Sequence, residues 1–338
     1  MNIAFWITII LVLGVIFVNG WTDAPNAIAT AVSTRVLSPR TAIGMAVVCN
    51  FFGTLLMTFI NAQVAETISN IVSFDGQGNA PQVVMAAALF AIVVWAVGAW
   101  YFGIPTSESH SLIAGLTGAA IALGGIGAVN GNEWTKVLIG LLFSSVLGFG
   151  LGYVVTKFIA LVFSSISRKI ANKFFSYGQA ASAAANAFLH GAQDGQKFMG
   201  VFMLVLFYNG LAQRSADGSF SLPVSIMVLC SVVMGLGTSV GGMRIIKSVG
   251  MDMVKLEKYQ GFSADISTAC CLLTASLTGI PVSTTHTKTT AIMGVGAARR
   301  RSSVNWGIVR EMVLAWVLTF PGCGIIAYVM AKLFMTIF

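Results

Sequence analysis

The sequence predicts an all-α polytopic membrane protein built from two inverted-topology repeats of about five membrane segments each. Composition predicts the class, because 57% of the 338 residues are hydrophobic and only 9% are charged, whereas soluble domains carry about 25% charged residues. A polar motif that recurs in the same order in each half predicts the repeats. We therefore expect one integral membrane unit, with the first repeat at 1–165 and the second at 172–338.

Apolar stretches mark the expected membrane segments. A helix needs about 20 apolar residues to cross the hydrocarbon core. Stretches of about this length occupy Asn2–Asn19, Thr41–Asn61, Gln82–Phe102, Trp134–Phe163, Phe188–Tyr208, Leu222–Gly242, Phe262–Gly279 and Val304–Phe338. Three more helix-like segments are interrupted by glycine, proline and polar residues: Trp21–Leu37, Ile104–Gly124 and Ile280–Ala298. We expect these three to be broken or re-entrant helices at the interface between the repeats.

The basic residues predict the orientation. Most of the 19 lysines and arginines fall in four clusters, at 35–40, 157–173, 244–258 and 299–301, and the loops between the clusters contain only Arg214. Cytoplasmic loops of membrane proteins are enriched in Lys and Arg, so the clusters are predicted to be cytoplasmic and both termini extracellular. Five crossings in each half then invert the second half relative to the first. The net charge of +8 is explained in this way without nucleic acid as a partner.

Two pairs of matching motifs carry the repeat. Gly103–Ser111 (GIPTSESHS) and Gly279–Thr287 (GIPVSTTHT) agree at five of nine positions and lie 176 residues apart. Gly20–Asn26 (GWTDAPN) and Gly191–Lys197 (GAQDGQK) follow in the same order at an offset of 171 residues. Inverted repeats with interrupted helices at matching positions are typical of secondary transporters, whose site lies at the repeat interface near the middle of the membrane.

The Gly-Ile-Pro motifs predict two half-helices that begin inside the membrane. Proline is tolerated in the first turn of a helix, and hydroxyl residues cap its free N–H groups. Two such N-termini suit a tetrahedral oxyanion, because they offer free N–H groups and positive dipole ends. The alternative is that the hydroxyls only cap helices and pack interfaces. The hydroxyls predicted to contact the anion are Ser107, Ser109, Ser111, Ser283, Thr284, Thr285 and Thr287.

Charged residues in these segments predict a cation site beside the anion, since charges inside a bilayer are expensive and usually functional. Asp23, Asp194 and the Asn26 amide offer the oxygen ligands that hard cations such as sodium prefer. Asp265 is predicted to be a second cation or proton site. Lys197 shares a helical face with Asp194, so it is expected to pair with Asp194 or to hold the anion. The three histidines lie in the same motifs and are predicted to support the site: His110, His190 and His286.

These motifs resemble those of the inorganic phosphate transporter (PiT) family, the sodium- or proton-coupled phosphate permeases. That family carries G-A-N-D-V-A-N-A in each half, and the segment 20–27 matches it at Gly20, Asp23, Asn26 and Ala27. The segment 190–200 is similar to the bacterial form H-G-A-N-D-x-Q-K-x-M-G, with glutamine in place of the asparagine. The segment 281–286 resembles the family's P-x-S-T-T-H. The resemblance runs from about residue 19 to residue 300.

The resemblance implies a secondary active transporter that imports inorganic phosphate by symport with sodium or protons. It also implies external termini, a homodimer in the plasma membrane and no cofactor beyond the coupling ion. Cation and substrate roles would fall on Asp23, Asn26, Asp194 and Lys197, and the phosphate role on the hydroxyls after the two Ile-Pro pairs. Glu108 is the carboxylate predicted to face the anion, which favours phosphate because phosphate carries a proton to donate and sulfate does not.

Three alternatives remain open at this point. A sulfate/cation symporter would use the same scaffold and the same site. A passive anion channel would need a continuous polar pore, against which the buried aspartates argue. An intramembrane metal hydrolase could place His190 and Asp194 on one metal, with a third ligand from His110 or His286. That reading leaves the repeat unexplained, so the sequence favours a transporter over an enzyme.

Overall fold

In the computed structural model the chain is all-helical; the structure describes residues 3–76, 78–215 and 220–338. Met1 and Asn2, which begin the first predicted span and repeat, lie outside the described residues. Short 3₁₀ turns occupy Ile126–Ala128 and Arg301–Ser303, and a π turn occupies Ser248–Asp252. The helices are α1 (Ile3–Thr22), α2 (Pro25–Ser33), α3 (Pro39–Ile60), α4 (Gln63–Ser69), α5 (Ala80–Tyr101), α6 (Glu108–Gly124), α7 (Gly131–Val162), α8 (Arg168–Tyr208), α9 (Val224–Val240), α10 (Met243–Lys247), α11 (Lys258–Leu277), α12 (Thr284–Arg299) and α13 (Trp306–Ile337).

Five helical stretches in the described part of the chain are long and apolar enough to cross a membrane, and a sixth joins α9 to Met243–Asp252 across a 66° bend. The five are Phe5–Ser33, Pro39–Ile60, Ala80–Tyr101, Gly131–Val162 and Trp306–Ile337. The predicted spans in α8 and α11 are not among these stretches. Both helices carry buried polar side chains that lower their hydropathy, so composition alone assigns fewer spans than we predicted.

The first interrupted segment is a single helical rod with a short break. The backbone N–H groups of Asp23 and Ala24 both donate to the Asn19 carbonyl, at 2.9 and 3.3 Å, and α2 begins at Pro25. Proline lacks the N–H group that would continue the ladder. The break therefore falls at Asp23, the aspartate of the motif's first copy.

The second copy of that motif is not interrupted. Asp194 lies in the middle of α8, a continuous helix of 41 residues, because Gln196 stands where the first copy has Pro25. The helix thus runs without a break through the predicted span Phe188–Tyr208. The helix begins at Arg168, so the predicted repeat boundary at residue 172 falls inside it, and the basic residues at 168–173 occupy its first turns rather than a loop.

The packing of the two halves is reciprocal. Helix α6 packs on α13 and α12 packs on α7, while α3 packs on α8 and α9 packs on α1. Isolated β-bridges join Val72 to Val129 in the first half and Val254 to Val304 in the second. The early helices of one half thus pack on the early helices of the other, and the late helices on the late ones. The motif segments meet between them.

A polar centre lies inside an apolar shell. Large apolar side chains on the outer faces of α7 and α13 are exposed, as lipid contact requires, with Leu142 69% and Ile325 62% exposed. The centre of the helical packing instead buries charge, because six aspartate, glutamate and lysine side chains there are at most 3% exposed. The six are Asp23, Glu108, Asp194, Lys197, Asp265 and Lys288.

Candidate functional site

The two predicted half-helix starts meet each other. Ser107 caps α6 by accepting from the His110 backbone N–H at 3.3 Å, and Ser283 caps α12 in the same way from His286 at 3.1 Å. The two cap hydroxyls lie 2.8 Å apart. Both predicted starts are confirmed, and the positive ends of two helix dipoles converge on one place.

Two carboxylates from the other motif pair lie beside these helix ends. The Thr284 hydroxyl is 3.2 Å from Asp23 Oδ2 and 3.3 Å from Asp194 Oδ2. A hydroxyl has one proton to donate, so Thr284 can satisfy only one of the two oxygens at a time. Asp23 also accepts from the Asn26 amide at 2.6 Å and from the Thr285 hydroxyl. The predicted cation ligands Asp23, Asn26 and Asp194 are therefore brought together.

Asp194 has a fixed positive partner. Lys197 Nζ donates to Asp194 Oδ1 at 2.7 Å, as its place one turn along α8 predicted. The same nitrogen donates to Ser109 Oγ at 2.7 Å and to the Val282 carbonyl at 2.6 Å. Its three N–H groups are thus all engaged by protein oxygens, and the pairing with Asp194 is the arrangement found.

Glu108 lies at the first position of α6 and is 3% exposed. Its Oε1 accepts from the Thr22 hydroxyl at 2.9 Å, which places it beside the first copy of the aspartate motif. A carboxylate therefore faces the same polar centre as the two aspartates. The contact also gives a role to Thr22, which stands where the family signature has asparagine.

Asp265 lies in a separate cluster. Its Oδ1 accepts from Lys288, from the Thr30 hydroxyl at 2.6 Å and from the Asn186 amide at 3.2 Å. The sequence did not predict Lys288 as its partner. The two residues are 23 apart on different helices, so no helical spacing joins them; the only signal is that Lys288 follows the second hydroxyl motif directly.

A small cavity of about 10 Å³ separates this cluster from the Asp23 site. Sequence reasoning missed two of the amides in this region, Asn19 and Asn186. Asn19 donates to Asp194 Oδ2 at 3.1 Å. The cavity is lined by Asn26, Ala27, Asn186, His190, Thr268, Leu272, Thr284 and Lys288.

The three histidines divide into two kinds. His190 contacts Asn50 Oδ1 at 2.8 Å through Nδ1 and Asp194 Oδ2 at 3.3 Å through Nε2, so it supports the carboxylates. His110 and His286 instead form aromatic contacts, with their ring centroids 4.3 Å apart. His286 stacks on Trp316 at 3.7 Å and His110 on Phe320 at 4.5 Å.

Within the described residues, one group of side chains could hold a metal ion. Ligand atoms of Asp23, His190 and Asp194 all lie within 4.8 Å of one another, and all three residues are buried. The third ligand is Asp23, not His110 or His286 as the hydrolase alternative required. Two carboxylates, a hydroxyl and an amide suit a hard cation such as sodium.

The seven predicted hydroxyls do not all face this centre. Ser111 donates to the Ser107 carbonyl at 3.2 Å and Thr287 to the Ser283 carbonyl at 2.8 Å. These two equivalent residues therefore bond back to their own helices. Ser107, Ser283, Ser109, Thr284 and Thr285 lie at the convergence of the helix ends with the charged groups.

The chain is similar to known proteins over nearly its whole length. The model of the "Phosphate transporter family" matches it twice, over residues 19–170 and 162–327. The chain belongs to the phosphate transporter family. A Bacillus subtilis protein whose name reads "Probable low-affinity inorganic phosphate transporter" is 37% identical over 334 residues, which cover 97% of this chain and 98% of the relative. A Rhizobium meliloti protein of the same name is 39% identical over 311 residues, covering 92% and 90%.

A solved structure described as "The sodium-dependent phosphate transporter" has the same fold, with a TM-score of 0.89 at 24% identity and full coverage of both chains. Together with the apolar helices, the family makes the chain a multi-pass membrane protein. Its relatives are transporters, so phosphate transport, and not enzymatic catalysis, is the activity of its family. The resemblance inferred from the motifs is confirmed.

Proposed function

We propose that the chain imports inorganic phosphate across the plasma membrane by symport with a cation, through alternating access. The observation that carries the proposal is the convergence of two equivalent helix N-termini on a pair of buried carboxylates, joined by the Thr284 hydroxyl at 3.2 and 3.3 Å. Helix N-termini favour an oxyanion, and buried carboxylates favour a cation. Each ligand lowers the cost of burying the other.

The charges around the site support a role for the cation. Asp23, Asp194 and Glu108 bring three carboxylates to the site, and Lys197 brings one ammonium group. A phosphate anion that entered this surplus of negative charge alone would be repelled, and such repulsion is strong where water is scarce. A monovalent cation bound at Asp23, Asn26 and Asp194 removes one unit of this negative surplus, so cation binding favours phosphate binding.

We assign the anion to the converging helix ends. The hydroxyls of Ser107, Ser283, Thr284 and Thr285 and the side chain of Ser109 lie there, and Glu108 could accept the proton of a phosphate. Ser111, Thr287 and Lys197 were predicted to join them. Their donors are engaged by protein oxygens in this conformation, as are the Thr284 and Thr285 hydroxyls that donate to the aspartates. These five residues would therefore contact the anion only after a rearrangement.

The same proposal includes the topology. Reciprocal packing of the halves supports repeats at about 1–165 and 172–338 that move against each other around the site, as in other inverted-repeat carriers. The basic clusters support cytoplasmic loops and extracellular termini. A homodimer remains the expected assembly. Sodium is the first candidate for the coupling ion, because the solved structure of the same fold is described as sodium-dependent; the proton is the second.

Uptake of radiolabelled phosphate into proteoliposomes tests the proposal. The inward gradient is of sodium, of protons or absent, and excess unlabelled sulfate is the competitor. We expect uptake that needs one of the two gradients, resists sulfate and disappears in Asp23→Asn. Uptake that proceeds without either gradient would indicate a channel, and full competition by sulfate would overturn phosphate as the substrate.

A further inference from the structure

The two copies of the aspartate motif carry different residues three positions after the aspartate. Asn26 stands three residues after Asp23, and Lys197 stands three residues after Asp194. Asn26 Nδ2 is 2.6 Å from Asp23 Oδ1, and Lys197 Nζ is 2.7 Å from Asp194 Oδ1. The two nitrogens therefore hold equivalent places against equivalent carboxylates, one neutral and the other charged.

The second contact of each nitrogen is equivalent too. Asn26 Nδ2 is 3.2 Å from the hydroxyl of Thr285, and Lys197 Nζ is 2.7 Å from the hydroxyl of Ser109. Ser109 and Thr285 occupy the same position in the two Gly-Ile-Pro motifs, 176 residues apart. The reciprocal packing thus builds two copies of one polar half-site, each from a carboxylate on one half and a hydroxyl on the other.

Lys197 is coordinated as a cation would be. Its side chain is fully buried, and Nζ has three oxygen neighbours: the Asp194 carboxylate, the Ser109 hydroxyl and the Val282 carbonyl at 2.7, 2.7 and 2.6 Å. Carboxylate, hydroxyl and carbonyl oxygens are the donor set of a hard monovalent or divalent cation. An ammonium group has three donors, so none remains for an anion.

We infer that Lys197 is a tethered cation that permanently fills the second of two equivalent cation half-sites. The motif pair then binds one exchangeable cation, at Asp23, rather than two. The inference rests on the proposed cation symport and sets its ion count. Asp194 already has its positive charge, whereas the direct partners of Asp23 are the neutral groups of Asn26, Thr284 and Thr285. A buried carboxylate needs a positively charged partner. Of the two aspartates, only Asp23 therefore needs an ion from solution.

Replacing the tether should open the second half-site. Lys197→Asn makes the second copy match the first, with an amide in place of the ammonium group and with Asp194 left without a fixed cation. Equilibrium binding of radioactive sodium to the purified, detergent-solubilised full chain counts the sites. We expect Lys197→Asn to bind one sodium ion more per chain than the wild type does. Sodium should also raise its melting temperature more steeply, since an ion bound only to the folded state stabilises it.

The matched control is the double variant Asp194→Asn with Lys197→Met, which removes the carboxylate and the ammonium group together. At saturating sodium it should keep the Asp23-dependent ion, with lower affinity because Asp194 also lies beside that ion, whereas Asp23→Asn should bind one ion fewer than the wild type. The double variant and Asp23→Asn test the inference even if Lys197→Asn yields no folded protein. Loss of the Asp23-dependent ion in the double variant would overturn the inference, because the two half-sites would then share their ions.

Failure of the inference is distinguishable from failure of the proposed symport. An unchanged sodium count in folded Lys197→Asn, with weakened phosphate binding, would identify Lys197 as an anion ligand and overturn the tether. A gain of one sodium ion in that variant, in a chain whose wild type shows no gradient-driven phosphate uptake, would support the tether and refute the symport. Both readouts come from the same preparations.

Discussion

Ser107 and Ser283 touch each other through their hydroxyl oxygens at 2.8 Å, although 176 residues separate them in the chain. They hold the same position in the two Gly-Ile-Pro motifs. Contact between these equivalent residues brings the N-termini of α6 and α12 together, and the adjacent rings of His110 and His286 have their centroids 4.3 Å apart. The candidate site is therefore a place where equivalent motif residues of the two halves meet.

The shared hydroxyl contact predicts a measurable coupling between the two caps. Ser107→Ala and Ser283→Ala should each lower the free energy of unfolding by about 2 kcal/mol, because each removes an N-cap acceptor and also the shared hydroxyl hydrogen bond, at about 1 kcal/mol each. The double variant should lose less than the sum of the two, by roughly the energy of one hydrogen bond, about 1 kcal/mol. Unfolding in mixed micelles, followed by tryptophan fluorescence, measures all four proteins.

Ser302→Ala is the control for that cycle, because Ser302 is exposed in a 3₁₀ turn outside the site. It should leave stability within about 0.5 kcal/mol of the wild type. Strict additivity of Ser107→Ala and Ser283→Ala would mean that the hydroxyl contact contributes nothing to the folded state.

The cluster around Asp265 predicts a structural ion pair. Lys288→Met leaves a fully buried carboxylate without its cation, which should destabilise the protein by about 3–5 kcal/mol. Adding Asp265→Asn should restore most of that stability, since Thr30 and Asn186 can still donate to the amide oxygen. Thermal melting of the two variants measures the difference.

Phosphate uptake then separates a structural from a functional Asp265. If the pair is structural, the double variant should keep gradient-driven uptake, in contrast to Asp23→Asn. A double variant that melts like the wild type but transports no phosphate would instead make Asp265 the second cation or proton site that the sequence suggested.

The Glu108 carboxylate is predicted to make the site selective for phosphate over sulfate. Its buried carboxylate accepts from Thr22 and can accept a proton from phosphate, whereas it can only repel sulfate. Glu108→Gln removes the charge at constant size. The ratio of sulfate to phosphate concentrations that halve uptake should fall about tenfold, which corresponds to a loss of about 1.4 kcal/mol.

The exposed carboxylate of Glu311 supplies the comparison for Glu108. Glu311→Gln should leave the selectivity ratio unchanged. An unchanged ratio in Glu108→Gln as well would remove Glu108 from the anion site and leave its hydrogen bond with Thr22 as a packing contact.

Much of the site was predictable because its signals are local. The Ile-Pro-hydroxyl order predicts where α6 and α12 begin, and the three-residue spacing predicts the pairing of Lys197 with Asp194. What the sequence could not supply depends on contacts between distant helices. The partnership of Asp265 with Lys288 is one such contact. The continuity of α8 through Asp194 agrees with the predicted span Phe188–Tyr208, and its reason is local, because Gln196 stands where the first copy has the helix-breaking Pro25.

Glycines at which two helix backbones approach closely are predicted to be the most sensitive to replacement by alanine. A Cβ atom on Gly53 would lie 1.8 Å from the Phe188 carbonyl oxygen, and one on Gly237 would lie 2.1 Å from that of Phe17. These are the α3–α8 and α9–α1 contacts, which correspond in the two halves. Gly53→Ala and Gly237→Ala should each force the helices apart and destabilise the protein by about 1–3 kcal/mol.

Gly44 gives the matched control for these packing variants, because it lies on the same helix as Gly53 and a Cβ atom there meets nothing within 4 Å. Gly44→Ala should be neutral or stabilising by up to about 1 kcal/mol, since alanine loses less backbone entropy than glycine in a helix. Melting temperatures of the three variants measure the effect. Equal melting temperatures for Gly53→Ala and Gly44→Ala would mean that α3 and α8 do not approach closely at Gly53. The close packing of the two halves at that contact would then be wrong.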